Sequence, residues 1–177
     1  MIKVLMISGS LRKESYNSAL LKHFETKEGF SFYDKLGDLP LFNADLDQHD
    51  LTQDNAPHSV KEFRKALKEV DAIMISTPEY AHQIPGVLKN ALDWVVSSGS
   101  FVGKPVMVIS ATPTHLGGKK AHEQLVYLLD LIDAKVIHKA SMQIDKVNHK
   151  LHDDAFISDL ENHVADFIAT FTVPINR

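Results

Sequence analysis

Four short apolar runs rich in β-branched residues, at positions 2–7, 70–75, 105–110 and 135–140, are separated by stretches of helical periodicity. That alternation constrains the fold more than any other feature of the chain. The first three runs show little polar alternation, as strands do when both faces of a parallel sheet are covered. The fourth alternates more and is expected at an edge. Residues 30–33, Phe-Ser-Phe-Tyr, form a weaker fifth candidate. Helices are expected over 15–27, with Gly29 as the stop, and over 57–69, 85–96, 121–132 and 154–171, each with apolar residues recurring at helical spacing. Strand alternating with helix in this way predicts a doubly wound α/β fold, a five-stranded parallel sheet with helices on both faces. In a sheet of order 2-1-3-4-5, ligands bind beside strands one and three, where the strand order reverses.

Composition narrows the function classes. At 177 residues the chain is expected to form one domain, 1–177, and with 44% hydrophobic and 24% charged residues it has the balance of a globular protein. A formal net charge of -4 and the lack of a long Lys/Arg cluster argue against nucleic-acid binding. There is no cysteine, which excludes a disulfide scaffold, a thiolate metal site and a Cys nucleophile. No apolar stretch approaches the roughly 18 residues of a membrane span. Met1 runs directly into a strand pattern unlike a signal peptide, so no membrane association and a cytoplasmic location are expected.

The chemistry is expected in loops that follow strands. The first, residues 8–17, reads Ser-Gly-Ser-Leu-Arg-Lys-Glu-Ser-Tyr-Asn. Its following helix offers unpaired N–H groups and a positive dipole end. Ser10, Ser15 and Asn17 add polar donors, Arg12 adds a cation suited to phosphate, and Gly9 permits close backbone approach. The loop matches neither the Walker pattern nor Gly-x-Gly-x-x-Gly, so a compact monophosphate fits better than a nucleoside triphosphate or a dinucleotide. Read structurally, the same residues make a tight turn with Ser15 as an ordinary helix cap.

The second loop, 77–85, contains Pro78, Glu79, Tyr80, Ala81 and His82. Tyr80 offers a flat edge to a flat ring, and the N–H groups around 79–82 can reach its polar rim. Glu79 can instead turn inward and order the loop. The third, 110–118, contains Ser110 and the pair Gly117-Gly118, which permits close backbone approach or simply leads into a helix. Trp94 is expected in the core and Lys89–Asp93 as a surface pair. The long connection 36–56 is expected to pack its Leu39-Pro40-Leu41-Phe42 segment on the sheet end and to leave its acidic half, with Asp45, Asp47, Asp50 and Asp54, in solvent. His149, His152, Asp153 and Asp154 have spacing too loose for a metal site, and none is expected.

On Gly9-Ser10-Leu11-Arg12 with Ser15 and Asn17, on Leu39-Pro40-Leu41-Phe42-Asn43 with Asp45, and on Pro78-Glu79-Tyr80 followed by Ile84-Pro85-Gly86 and the helix to Trp94, the chain resembles the NADPH-dependent FMN reductase family. These are flavodoxin-like quinone, azo-dye and chromate reductases. The resemblance covers about residues 2–140 and implies a flavodoxin-like fold with bound FMN, and NADPH or NADH as hydride donor to a small-molecule acceptor. It implies that Ser10, Arg12, Ser15 and Asn17 hold the phosphate. Pro78, Glu79 and Tyr80, with Ala81 and His82 beside them, would line the ring, and Ser110 with Gly117 would close the far side. Hydride passes through flavin N5, so no proton-transfer residue is assigned. A homodimer or homotetramer is implied too. Ala81 and His82 stand where the family usually has Asn after Pro-Glu-Tyr, and Thr114 and His115 where it tends to have Gly. A flavodoxin-type electron carrier and a non-catalytic FMN-binding domain are the competing readings.

Overall fold

The computed structural model describes residues 1–47 and 55–172. Four strands form the body of the sheet: β1 (Val4–Ser8), β2 (Phe30–Tyr33), β3 (Ala72–Thr77) and β4 (Pro105–Ala111). All pair in parallel, in the order β2-β1-β3-β4, as the patterning predicts. β1 and β3 are buried along their whole length, and of β4 only the first residue is partly open. β2 is half-exposed, which is why it alone of these strands alternates.

The sheet departs from expectation at its other edge. Instead of one strand over 135–140 there are two short ones, β5 (Lys135–Val136) and β6 (Met142–Ile144), and the sheet has six strands. β5 pairs with Pro105 and Val106, β6 with Ile109 to Ala111. Between them the chain makes a tight turn, with Ala140 N–H donating to the Ile137 carbonyl at 3.1 Å. Ser141 bridges the gap: its hydroxyl accepts from the β4 N–H of Val108 at 3.1 Å and donates to the Ile137 carbonyl at 3.1 Å. A side chain thus takes up a ladder hydrogen bond that the interrupted strand would leave orphaned.

Helices cover both faces. α2 (His58–Lys68), α3 (Gly86–Asp93) and α4 (Lys119–Leu131) share one core with Leu5, Ile7, Ile73, Ile75, Val106 and Val108. α1 (Tyr16–Lys22), the short α5 (Val147–Lys150) and α6 (Asp154–Thr172) share the other with Val4, Met6, Met74, Met107 and Ile109. The alternation of consecutive β residues between the two cores is the period-two geometry of a pleated strand. α1 is shorter than its apolar pattern suggests; beyond it the N–H groups of Phe24, Glu25 and Lys27 bond to carbonyls three residues back, and Gly29, at φ +88°, closes these turns onto β2.

The connection from β2 to α2 is more structured than its composition suggests. It contains two 3-10 turns, Leu36–Asp38 and Ala44–Leu46. Leu39 is buried, the Pro40 carbonyl accepts from Asn90 Nδ2 at 3.0 Å and Trp94 Nε1 at 2.8 Å, and the Phe42 ring meets Trp94 edge-on. Leu41, expected to pack with them, is 85% exposed.

The expectation of a solvated acidic half fails at Asp47, whose side chain is 7% exposed and bonds the guanidinium of Arg64 at 2.5 Å. Arg64 lies at the apolar face of α2, 1% exposed. Its Nε and Nη2 both donate to the carbonyl of Trp94, the residue that ends α3, and Nη2 also reaches Ser97 Oγ. A buried cation survives here because a carboxylate and a helix C-terminal carbonyl, both electron-rich, converge on it. Asp50 and Asp54 lie outside the described residues.

Candidate functional site

The connections after β1 and β3 lead away in opposite directions, so the loops at their carboxyl ends part and leave a crevice. A cleft of about 330 Å³ occupies it, bounded by Ser10, Arg12, Ser15, Tyr16 and Asn17 of the first loop and by Pro78, Glu79 and Tyr80 of the second. Ala111, Thr112, Pro113 and Thr114 of the third loop complete it.

The first loop is held from beneath. Gly9 N–H donates to the Ser76 carbonyl at 2.8 Å, and Ser18 Oγ donates to Ser8 Oγ at 2.8 Å. Ser10 Oγ accepts from Arg12 N–H at 3.3 Å and lies 3.4 Å from the Tyr80 hydroxyl, across the cleft. Ser15 is both the α1 cap, accepting from Ser18 N–H, and part of the cleft wall, so the two readings of this residue coincide. Tyr16 and Asn17 are the first residues of α1, where backbone N–H groups have no partner within the helix. Arg12 is exposed, its guanidinium over the Tyr16 ring at 5.5 Å, and it makes no ion pair among the described residues.

Two residues of this loop do something other than expected. A Cβ on Gly9 would lie 3.0 Å from Leu88 Cδ2 and 3.2 Å from Thr77 Oγ1, so what the glycine admits is α3, not a ligand. Asn17 is 3% exposed with its amide already engaged. Nδ2 donates to the Ala111 carbonyl at 3.0 Å, and Oδ1 accepts from Ser76 Oγ at 2.8 Å. It ties α1 to β3 and β4 under the cleft floor.

The second loop contains a miniature hairpin. Tyr80 and Gln83 exchange backbone hydrogen bonds of 3.0 and 2.9 Å, and the residues between them, Ala81 and His82, have φ of 50° and 60°. This is the pattern of a type I′ turn, which favours Asn and Gly. Tyr80 stands half-exposed at the cleft edge, whereas the side chain of His82 is 75% exposed and points away to Glu79 Oε1 at 3.2 Å. Neither Ala81 nor His82 borders the cleft.

Glu79 takes the inward alternative: its Oε2 accepts from the N–H groups of Lys120 at 2.9 Å and Ala121 at 3.1 Å, in the first turn of α4. The residue that precedes this helix is Gly118, which has no side chain to cap it.

The third loop faces the cleft with residues other than those expected. Ser110 is fully buried, and its hydroxyl donates to the Gly117 carbonyl at 2.7 Å, back into its own loop. Gly117 and Gly118 have φ of 59° and 71°, and a Cβ on either would crowd β6 or Ser110 and Thr112. They shape the turn and do not line the cleft. Thr112 and Thr114, whose hydroxyls are 3.0 Å apart, and Pro113 do. Behind this loop, in α4, His122 is held below the ordinary histidine range, chiefly by burial and further by His138.

His149 sits within α5 and His152 just after it, and no group of three or more His, Asp or Glu side chains converges among the described residues. No helix among those residues is long and apolar enough to cross a membrane.

The sequence profile of the NADPH-dependent FMN reductase family matches residues 2–149. A quinone reductase of Escherichia coli K12 is 29% identical over 156 residues, 85% of this chain and 81% of that protein. An NAD(P)H-dependent FMN reductase of Pseudomonas aeruginosa is 35% identical over 155 residues, 84% and 80% of the two chains. Among solved structures, the flavoenzyme NAD(P)H:(acceptor) oxidoreductase FerB of Paracoccus denitrificans superposes with a TM-score of 0.68 at 27% identity, covering 92% of this chain and 99% of its own. With the sheet order and the placement of the cleft, the profile match decides the matter: the chain belongs to the NADPH-dependent FMN reductase family.

Proposed function

We propose that this protein, as a single domain, binds FMN in the cleft between β1, β3 and β4 and works as an NAD(P)H-dependent oxidoreductase. One observation carries the reading: a cation with no ion pair among the described residues, two buried hydroxyls and the first N–H groups of α1 border one cleft together with a half-exposed tyrosine and two prolines. The donor set suits a monophosphate and the walls suit a flat ring, and the volume lies in the range of small-molecule sites. Ser10, Ser15, Arg12 and the first turn of α1 would hold the phosphate. Pro78, Tyr80 and the 111–114 segment would flank the ring. FMN held there would supply the two-electron chemistry, hydride transfer from NADPH or NADH to a quinone, flavin, azo compound or other small acceptor.

What the chain contributes is positioning. Asn17 fixes the floor, the Ser8–Ser18 contact fixes the phosphate loop, and the loop N–H groups offer preorganised donors to negative charge on the ring. A homodimer or homotetramer in the cytoplasm belongs to the same proposal. Leu41, Phe42, Leu46 and Val96 stay exposed around the end of α3 and offer an apolar face to a second subunit, and the lack of cysteine suits a reducing compartment.

The test is anaerobic. FMN-loaded protein mixed with NADPH, and separately with NADH, is expected to lose its yellow absorbance rapidly. Flavin that binds but keeps its colour with both donors would turn the assignment to an electron carrier, and failure to retain FMN would refute the cofactor itself.

A further inference from the structure

The hairpin that presents Tyr80 is anchored to α4 at both ends, and the anchors are side chains. Before the hairpin, the Glu79 carboxylate accepts two N–H groups of the first turn of α4. After it, the N–H of Ile84 donates to Oε1 of Gln124, on the same helix, at 3.0 Å. α4 in turn is joined to the third loop through Gly117 and Gly118, and that loop is fixed to β4 by the Ser110 hydroxyl. Tyr80 and the 111–114 segment are two walls of one cleft, so both are referred to one helix end.

We propose that Glu79 and Gln124 form a clamp in which α4 sets the position of the Tyr80 hairpin, making Glu79 a positioning residue and not a ligand of the ring. The carboxylate is well placed for this and poorly placed for anything else. Its side chain is 13% exposed, one oxygen is engaged by two backbone donors, and the other faces His82. A carboxylate at a helix N-terminus is stabilised by the dipole and by charge-assisted hydrogen bonds, so the tie is strong where the glycine preceding the helix offers nothing. The hairpin needs an external hold because Ala81 and His82 occupy conformations that side chains resist. Without the two ties it relaxes, and Tyr80 moves with it. The effect on FMN rests on the function proposed above; the coupling of hairpin to helix does not.

The experiment uses the full chain, without FMN and then with it. Hydrogen exchange is followed at the backbone amides of residues 80–84 and 120–121, and FMN affinity by fluorescence quenching. Glu79→Ala is expected to speed exchange at both segments together and to weaken FMN by roughly tenfold, the scale of a lost charge-assisted hydrogen bond. Glu79→Gln keeps an oxygen for Lys120 and Ala121 and is expected to restore protection and most of the affinity. Gln124→Ala is expected to expose the Ile84 amide and loosen 80–83, leaving 120–121 protected.

Protection of 80–83 unchanged in both alanine variants would overturn the clamp. So would Glu79→Gln binding FMN as poorly as Glu79→Ala with its amides protected, because the charge would then act on the ligand directly. If the unaltered protein takes up no FMN, the cofactor reading fails, and the exchange data still decide the clamp.

Discussion

Removing the buried guanidinium of Arg64 gives the sharpest test of how this structure is held together. In Arg64→Met the stem is retained in volume, while the Trp94 carbonyl loses two donors and Asp47 loses the cation 2.5 Å from its carboxylate. Ser97 Oγ still donates to Asp47 at 2.9 Å, but a hydroxyl does not compensate a charge that is 7% exposed. Breaking one side of a buried pair costs about 3–5 kcal/mol. At about 2–4 °C per kcal/mol for a chain of this size, the midpoint of thermal unfolding should fall by roughly 6–20 °C. The assay is urea and thermal denaturation followed by far-ultraviolet circular dichroism. A companion, Arg64→Met with Asp47→Asn, removes the stranded charge and should recover part of the loss. A change under about 1 kcal/mol in the single variant, the size expected of a solvent-exposed pair, would refute the argument that this cation is energetically buried.

Other expectations follow from the same geometry. Ala81→Gly relieves a side chain held at φ 50° and should stabilise the protein by about 1 kcal/mol, read from urea midpoints; a loss of stability would mean the turn is not strained. Arg12→Ala should weaken FMN binding without lowering thermal stability, since the guanidinium makes no ion pair among the described residues, and an unchanged dissociation constant would remove it from the phosphate site. His122 titrates below its unfolded value near 6.5, so the unfolded chain binds the proton first as pH falls. Its stabilising share is therefore complete above that value and shrinks on acidification, and His122→Leu should flatten urea midpoints between pH 7.5 and 5.5.

The sequence made the sheet legible because period and composition are local signals. The apolar runs that became β1, β3 and β4 carry little alternation, and β2 carries one that matches its half-exposed face. The division of the last run was hidden, since it depends on Ser141 reaching a β4 amide that no local pattern reveals. At the site, Ser10, Arg12, Ser15, Pro78 and Tyr80 were readable as loop residues after strands. Gly9, Ser110 and Gly117 were readable as special but not as to purpose. Each proves to serve packing or turn geometry, with Leu88, the third loop and β6 as the neighbours that decide it. Arg64 was missed because a charged residue in an amphipathic pattern reads as solvated. The only available hint was its place beside Phe63 and Leu67 at the buried side of α2.

The interrupted last strand has a consequence for how such a protein can change. Along the edge away from β3, β4 has one neighbour for its amino half and a different one for its carboxyl end, and it is that carboxyl end of β4 that reaches the cleft. The segment that follows β6 continues the contact: Thr112 N–H donates to the Ile144 carbonyl, and Lys146 and Val147 donate to the carbonyls of Thr114 and Thr112. The wall formed by 111–114 is therefore backed by residues 142–147, which border no part of the cleft themselves. Substitutions in that stretch would act on the 111–114 wall through its backbone pairing and not through a side chain that touches the cleft.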